Sequence, residues 1–265
     1  MQVRLNGATL HCVDEGPRDR PAVLLHHSLA GTLALFDELA ARLAGRYRIV
    51  RFDARGHGRS ETTPPPYTFE ILAADAAALL DHLAIPRAHF LGLSMGGMIG
   101  QFMGLLHPDR VASLMLVSTT SRIPAEARPV WDERIAAVAA SGMAGQIAGS
   151  ISRWLSPTAQ SDRPDLVRRL AAGIEATPPE GYIGWARAIR DLDVTDRLGA
   201  ISVPTLVVVG ALDPGTPVAA AEAIHQRIPG SRLAVMPGLS HMLPIEAPDA
   251  FGEIVESFLA DVAAA

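Results

Sequence analysis

Short apolar runs alternate along this chain with longer stretches of helical period, and that rhythm constrains the fold more than any other feature. Runs fall at residues 22–26, 47–52, 88–93, 111–117, 205–210 and 232–236. Most are continuously apolar, as in Leu206-Val207-Val208-Val209, rather than alternating apolar and polar. A strand with apolar side chains on both sides must be covered on both sides, which demands a mostly parallel sheet sandwiched by helices. Two earlier runs, 3–5 and 9–14, flank Asn6-Gly7, the pair that best tolerates the positive φ angles of a type I′ turn. The sheet is therefore expected to open with an antiparallel hairpin. Helices fit between the runs at 33–44, 69–83, 95–107, 218–227 and 247–260. The prediction is an α/β protein with eight strands, mostly parallel.

The rhythm breaks between residues 121 and 196. Strand-like runs stop there, helical stretches are separated by Pro157, Pro164 and Pro178-Pro179, and all three tryptophans (Trp131, Trp154 and Trp185) occur in it. We read a helical cap over 121–196, inserted after the sixth strand into a core made of 1–120 and 197–265.

Composition narrows the chemistry. Apolar residues make up 49% of the chain and charged residues 19%, enough for a sizeable core and against disorder. The net charge of −5 is spread without long runs of one sign, so no nucleic-acid footprint is expected. All 23 basic residues are arginine, which removes lysine Schiff-base chemistry. The single cysteine, Cys12, cannot close a disulfide within the chain. The N-terminal residues lack the pattern of a signal peptide, and no apolar run is long enough to span a membrane, so a cytoplasmic protein without a membrane partner is expected. His26-His27 has no second ligand pair at metal spacing, and neither a metal nor a cofactor is expected.

The sharpest local signal is GLSMG at residues 92–96, a G-x-S-x-G with a strand running in and a helix running out. A serine on so tight a strand-to-helix turn has its Oγ lifted into a cleft, and the glycines remove Cβ atoms that would clash. Serine is a poor nucleophile at neutral pH and needs a base. On this arrangement the acid and then the histidine follow later in the chain, each after a strand. Asp213 follows the run at 205–210, and His241 follows the run at 232–236. The sequence around Asp213, Asp-Pro-Gly, also suits a plain turn aspartate; chain order with Ser94 and His241 favours the catalytic assignment. His57, in the RGHG stretch at 55–58, is read as organising backbone near the fourth strand. Two backbone N–H groups should hold an oxyanion: that of Met95, after the nucleophile, and that of Ser28, in the loop after the third strand.

At this point the residues resemble the α/β-hydrolase superfamily over almost the whole chain. The likeness rests on HHSLAG at 26–31, FDARGHGRS at 52–60, GLSMGG at 92–97, GALD at 210–213 and HMLPIEAP at 241–248. More narrowly, the chain resembles 3-oxoadipate enol-lactonases through Ser28-Leu29, FLGLSMGGMIGQ at 90–101, ATPPEGY at 176–182 and AIRD at 188–191. The resemblance implies an α/β-hydrolase fold and cofactor-free cleavage of a small-molecule ester or lactone by Ser94, His241 and Asp213. An enol-lactone of an oxo-acid carries a carboxylate, for which Arg122 and Arg134 are candidate partners. Trp131 and Trp154 either line the acyl pocket or pack the cap core. His27 departs from the family pattern, and a ring there is expected to stand beside the acyl pocket. Alternatives are a carbon–carbon bond hydrolase, a general carboxylesterase or perhydrolase with the same triad, or a non-catalytic receptor on the same scaffold. The oligomeric state is left open.

Overall fold

In the computed structural model, which describes residues 1–264, eight strands form one sheet. They are β1 (Gln2–Leu5), β2 (Ala8–Glu15), β3 (Ala22–His26), β4 (Arg48–Phe52), β5 (Ala88–Leu93), β6 (Val111–Val117), β7 (Thr205–Gly210) and β8 (Arg232–Met236), in the order β1-β2-β4-β3-β5-β6-β7-β8. Only β1–β2 and β2–β4 pair antiparallel. Asn6 and Gly7 both take positive φ (46° and 77°), as the hairpin reading requires. The strand expected at 47–52 begins one residue later, at Arg48.

The continuous apolar runs divide their side chains between two cores. Leu24, Phe90, Leu114, Leu116, Val207 and Val209 pack on one face with α2 (Phe69–His82), α3 (Met95–Leu106) and α9 (Val218–Arg227). Val23, Leu25, Leu91, Met115, Val117 and Val208 pack on the other with α1 (Asp37–Leu43) and the C-terminal helices α10 (Leu243–Glu246) and α11 (Pro248–Ala264). Successive residues point to opposite faces, so a run apolar at every position is what a doubly covered strand needs. The helix expected at 33–44 starts as a 3-10 turn at Leu33–Phe36.

Between β6 and β7 the chain forms α4 (Arg128–Ser141), α5 (Ile147–Trp154), α6 (Pro157–Asp162), α7 (Pro164–Glu175) and α8 (Pro179–Arg190). Four of these carry proline in the first turn, where the missing N–H costs nothing and the fixed φ starts the helix. Trp185 on α8 is fully buried, and its Nε1–H donates to the Arg55 carbonyl (2.8 Å), fastening the insertion to the loop after β4. Arg55 is itself fixed by a two-pronged pair with buried Asp75 on α2 (both contacts 2.8 Å).

Four histidines, His26, His27, His57 and His89, are buried and held below the usual imidazole range. Burial is the main cause for each; for His89 nearby Arg87 adds to it and the value falls to about 4. Unfolded histidines protonate near pH 6.5, whereas these stay neutral in the folded protein. The unfolded state therefore binds more protons as pH falls below about 6.5. Stability is full above that pH and is lost toward the native values, with a slope of about 1.4 kcal/mol per pH unit for each group that titrates only when unfolded. The melting temperature should fall between pH 6.5 and 5, above the carboxylate range, and fall less steeply in His89→Asn; a flat melting profile over that interval would refute this.

Candidate active site

β5 ends at Leu93 and α3 begins at Met95, leaving Ser94 alone to turn the chain. It does so at φ 57°, ψ −112°, a conformation few non-glycine residues hold. Three bonds fix it: its N–H donates to the Val117 carbonyl (2.8 Å), and its carbonyl accepts from Met98 N–H (3.0 Å) and Thr119 Oγ1 (2.8 Å). A Cβ at Gly92 would overlap the Gly96 carbonyl, and one at Gly96 would overlap the His26 carbonyl. The glycines are thus set by close backbone approach. Met95 is the first residue of α3, so its N–H has no acceptor within the helix and lies at the positive end of the helix dipole, next to Ser94.

Asp213 and His241 follow β7 and β8, at the same C-terminal edge of the parallel strands as Ser94. His241 Nδ1 lies 2.6 Å from Asp213 Oδ2, and both side chains are buried. Asp213 is also a turn aspartate: its Oδ1 accepts from the N–H groups of Gly215 (2.9 Å) and Thr216 (3.0 Å). Thr216 Oγ1 donates to Oδ2 (2.7 Å). Burial alone would raise the Asp213 carboxyl, but His241 and the Thr216 donors outweigh it and leave it below the usual range. One carboxylate thus both forms the turn and holds His241 Nδ1. The backbone around His241 is held from the insertion, since Trp154 O accepts from both His241 N–H (3.1 Å) and Met242 N–H (3.0 Å).

Ser94 and His241 open onto one cavity of about 830 Å³, within the range of small-molecule sites. Among the described residues no hydrogen bond joins Ser94 Oγ to His241, whose Nδ1 faces Asp213 and Thr216. Leu29 and Ala30 border the cavity from the loop after β3. The Ser28 N–H has no intramolecular partner among the described residues, while its carbonyl accepts from Gly31 N–H (2.9 Å).

Of the residues singled out for substrate contact, Arg122, Trp131, Arg134 and Trp154 all line this cavity. Arg122 is exposed and sits where its strand-like bridge to Asp193 closes the base of the insertion. Arg134 lies over the Trp131 ring (4.9 Å to its centre). His27 requires a correction. Its ring is fully buried outside the cavity wall, with Nδ1 donating to the Ser28 carbonyl (2.8 Å) and Nε2 accepting from Ala54 N–H (2.9 Å). The side chain turns inward because two backbone groups are there to satisfy it. Sequence reasoning passed over Arg153 and Tyr182, which also line the cavity. Nothing in one dimension separates Arg153 from the other arginines of the insertion except its place beside Trp154. Among the described residues no cluster of three His, Cys, Asp or Glu side chains could share a metal ion, and no helix is long and apolar enough to cross a membrane.

Residues 21–248 match the family of the alpha/beta hydrolase fold. The chain is 35% identical over 257 residues to 3-oxoadipate enol-lactonase 2 of Acinetobacter baylyi, a match covering 97% of this chain and 93% of that one. The crystal structure of the enol-lactonase from Burkholderia xenovorans LB400 superposes with a TM-score of 0.95 at 33% identity, covering 98% of this chain and all of the other. A thermophilic esterase from Thermogutta terrifontis matches at 29% identity and TM-score 0.92 over 99% of both chains. The chain is an enzyme of the alpha/beta hydrolase family, similar over nearly its whole length to 3-oxoadipate enol-lactonases.

Proposed function

We propose that the protein hydrolyses a carboxylate-bearing ester or lactone, of the 3-oxoadipate enol-lactone type, with Ser94 as nucleophile, His241 as base and Asp213 orienting that base. One observation carries the reading: a serine at φ 57° and a histidine held 2.6 Å from a buried aspartate share the wall of one cavity. The insertion acts as a cap (121–196) over the core (1–120 and 197–265).

Ser94 Oγ attacks the carbonyl carbon as its proton passes to His241 Nε2. The N–H groups of Ser28 and Met95 stabilise the oxyanion. Collapse of the intermediate breaks the carbon–oxygen bond, and His241 returns the proton to the departing enolate oxygen. In a lactone that oxygen remains tethered to the acyl chain. Water then gives a proton to His241 and its oxygen to the acyl carbon, and Ser94 leaves with the proton, releasing the acid.

The carboxylate preference rests on charge. Arg134 and Arg153 both line the cavity, and among the described residues neither has a carboxylate within ion-pair distance. Burial, then the like charge of Arg134, lowers the Arg153 pKa, the mark of a cation lacking a counter-charge. A substrate carboxylate would supply it.

A fluorophosphonate should label Ser94 in the wild type, and Ser94→Ala should cut kcat by about 10⁶. Near-wild-type turnover by that variant would end the proposal. Asp213→Asn should fold and lose about 10⁴ in kcat; an unchanged rate would move the acid elsewhere. Arg153→Met should raise KM by about tenfold or more for a carboxylate-bearing ester and leave a neutral p-nitrophenyl ester nearly untouched, because one charge-assisted bond is worth about 1.5–3 kcal/mol. Equal effects on both substrates would argue for a general carboxylesterase, and turnover of a vinylogous diketone in place of an enol-lactone would argue for carbon–carbon cleavage.

A further inference from the structure

We propose that His27 and His57 are positioning residues that lock the oxyanion loop by a reciprocal pair of hydrogen bonds. The loop after β3 and the loop after β4 run side by side at the edge of the sheet, and each sends a histidine into the other. His27 Nε2 accepts the N–H of Ala54, and His57 Nε2 accepts the N–H of Ala30, both at 2.9 Å. The rings lie 5.2 Å apart, and neither is exposed to solvent. An Nε2 that accepts is unprotonated, so both rings are neutral and carry their proton on Nδ1. For His27 that proton goes to the Ser28 carbonyl (2.8 Å), one peptide group beyond the N–H assigned to the oxyanion. Burial and mutual repulsion with His27 keep His57 uncharged, in keeping with this tautomer.

The loop needs such a lock. Ala30 sits at φ 56°, a left-handed conformation unfavourable for a residue with a Cβ, and the bond from its own N–H to His57 holds it there. Further along, Leu33 N–H donates to Asp53 Oδ1 (2.9 Å), which ties the loop's far end to the segment that carries His57. The segment between these ties includes Ser28, Leu29 and Ala30, of which the last two border the cavity. An oxyanion donor displaced by a fraction of an ångström loses most of its effect on the transition state while substrate binding is little changed.

The inference rests on the hydrolase reading and on Ser28 as oxyanion donor. The test compares wild type, His57→Phe, His57→Gln and His27→Leu, using p-nitrophenyl acetate for kcat and KM and phenylboronic acid for inhibition. The boronate forms a tetrahedral adduct that reads the oxyanion site directly. His57→Phe should lower kcat by about 10- to 100-fold, at or below the cost of losing a donor outright, with KM within about twofold and boronate inhibition weakened in step. His57→Gln, whose amide oxygen can accept the Ala30 N–H, should recover most of both losses. His27→Leu carries the same expectation as His57→Phe and serves if that variant does not fold. A folded variant lacking either ring with wild-type kcat and boronate affinity overturns the lock, as does a folded His57→Gln no better than His57→Phe. An active wild type with unimpaired variants refutes this inference alone; an inert, unlabelled wild type refutes the hydrolase reading and this inference with it.

Discussion

The strained turn at Ser94 sets the terms for everything around it. A serine at positive φ carries a conformational cost of roughly 1–3 kcal/mol, which local structure must outweigh. It is outweighed because β5 is buried on both faces and paired on both edges, and because Val117, Met98 and Thr119 each bond the serine's backbone. The bend also forces Gly96 against the carbonyl of His26, so the start of α3 and the end of β3 cannot move independently. Ser94 and the loop that borders its cavity are thus placed by one contact.

The helical insertion meets the core beside His241. The Trp154 carbonyl fixes the backbone of His241 and Met242, and Glu246 accepts N–H groups from Ser156 on one side and Ser240 on the other. At the opposite end Trp185 and Gly181 press on the loop holding Arg55 and Gly56, the latter by direct backbone contact. The cavity lies between these two attachments. Among the described residues its Arg134 and Arg153 stay without carboxylate partners, because acidic residues of the insertion pair with other arginines, Asp196 with Arg227 on the cavity wall and Asp132 with Arg190.

Much of this was readable in the chain. A strand buried on both faces has to be apolar at every position, so the β-strands appear as uninterrupted runs, and Asn6-Gly7 and GLSMG follow from backbone angles that few residues accept. Ser94, Asp213 and His241 were singled out because each follows a strand and the order along the chain is constrained. His27 was misjudged, since a sequence names a ring but not the direction it takes. That direction was decided by two backbone groups, at Ser28 and Ala54, which only folding brings within reach. Thr216 and Arg153 escaped notice for the same reason: a threonine in a turn and an arginine among many carry no periodic signal.

The sequence by itself determined the layered fold, the strained serine and the order of the residues that gather around it, because these depend on local backbone limits and on the period of apolar side chains. The tertiary structure alone decided which histidines reach the cavity and which bond backbone groups away from it, which arginines lack a counter-charge, and how Asp213 serves as turn former and histidine partner at once. Those outcomes depend on hydrogen bonds and charges between segments far apart in the chain, such as Ala30 with His57 and Asp213 with His241, whose partners are chosen by packing.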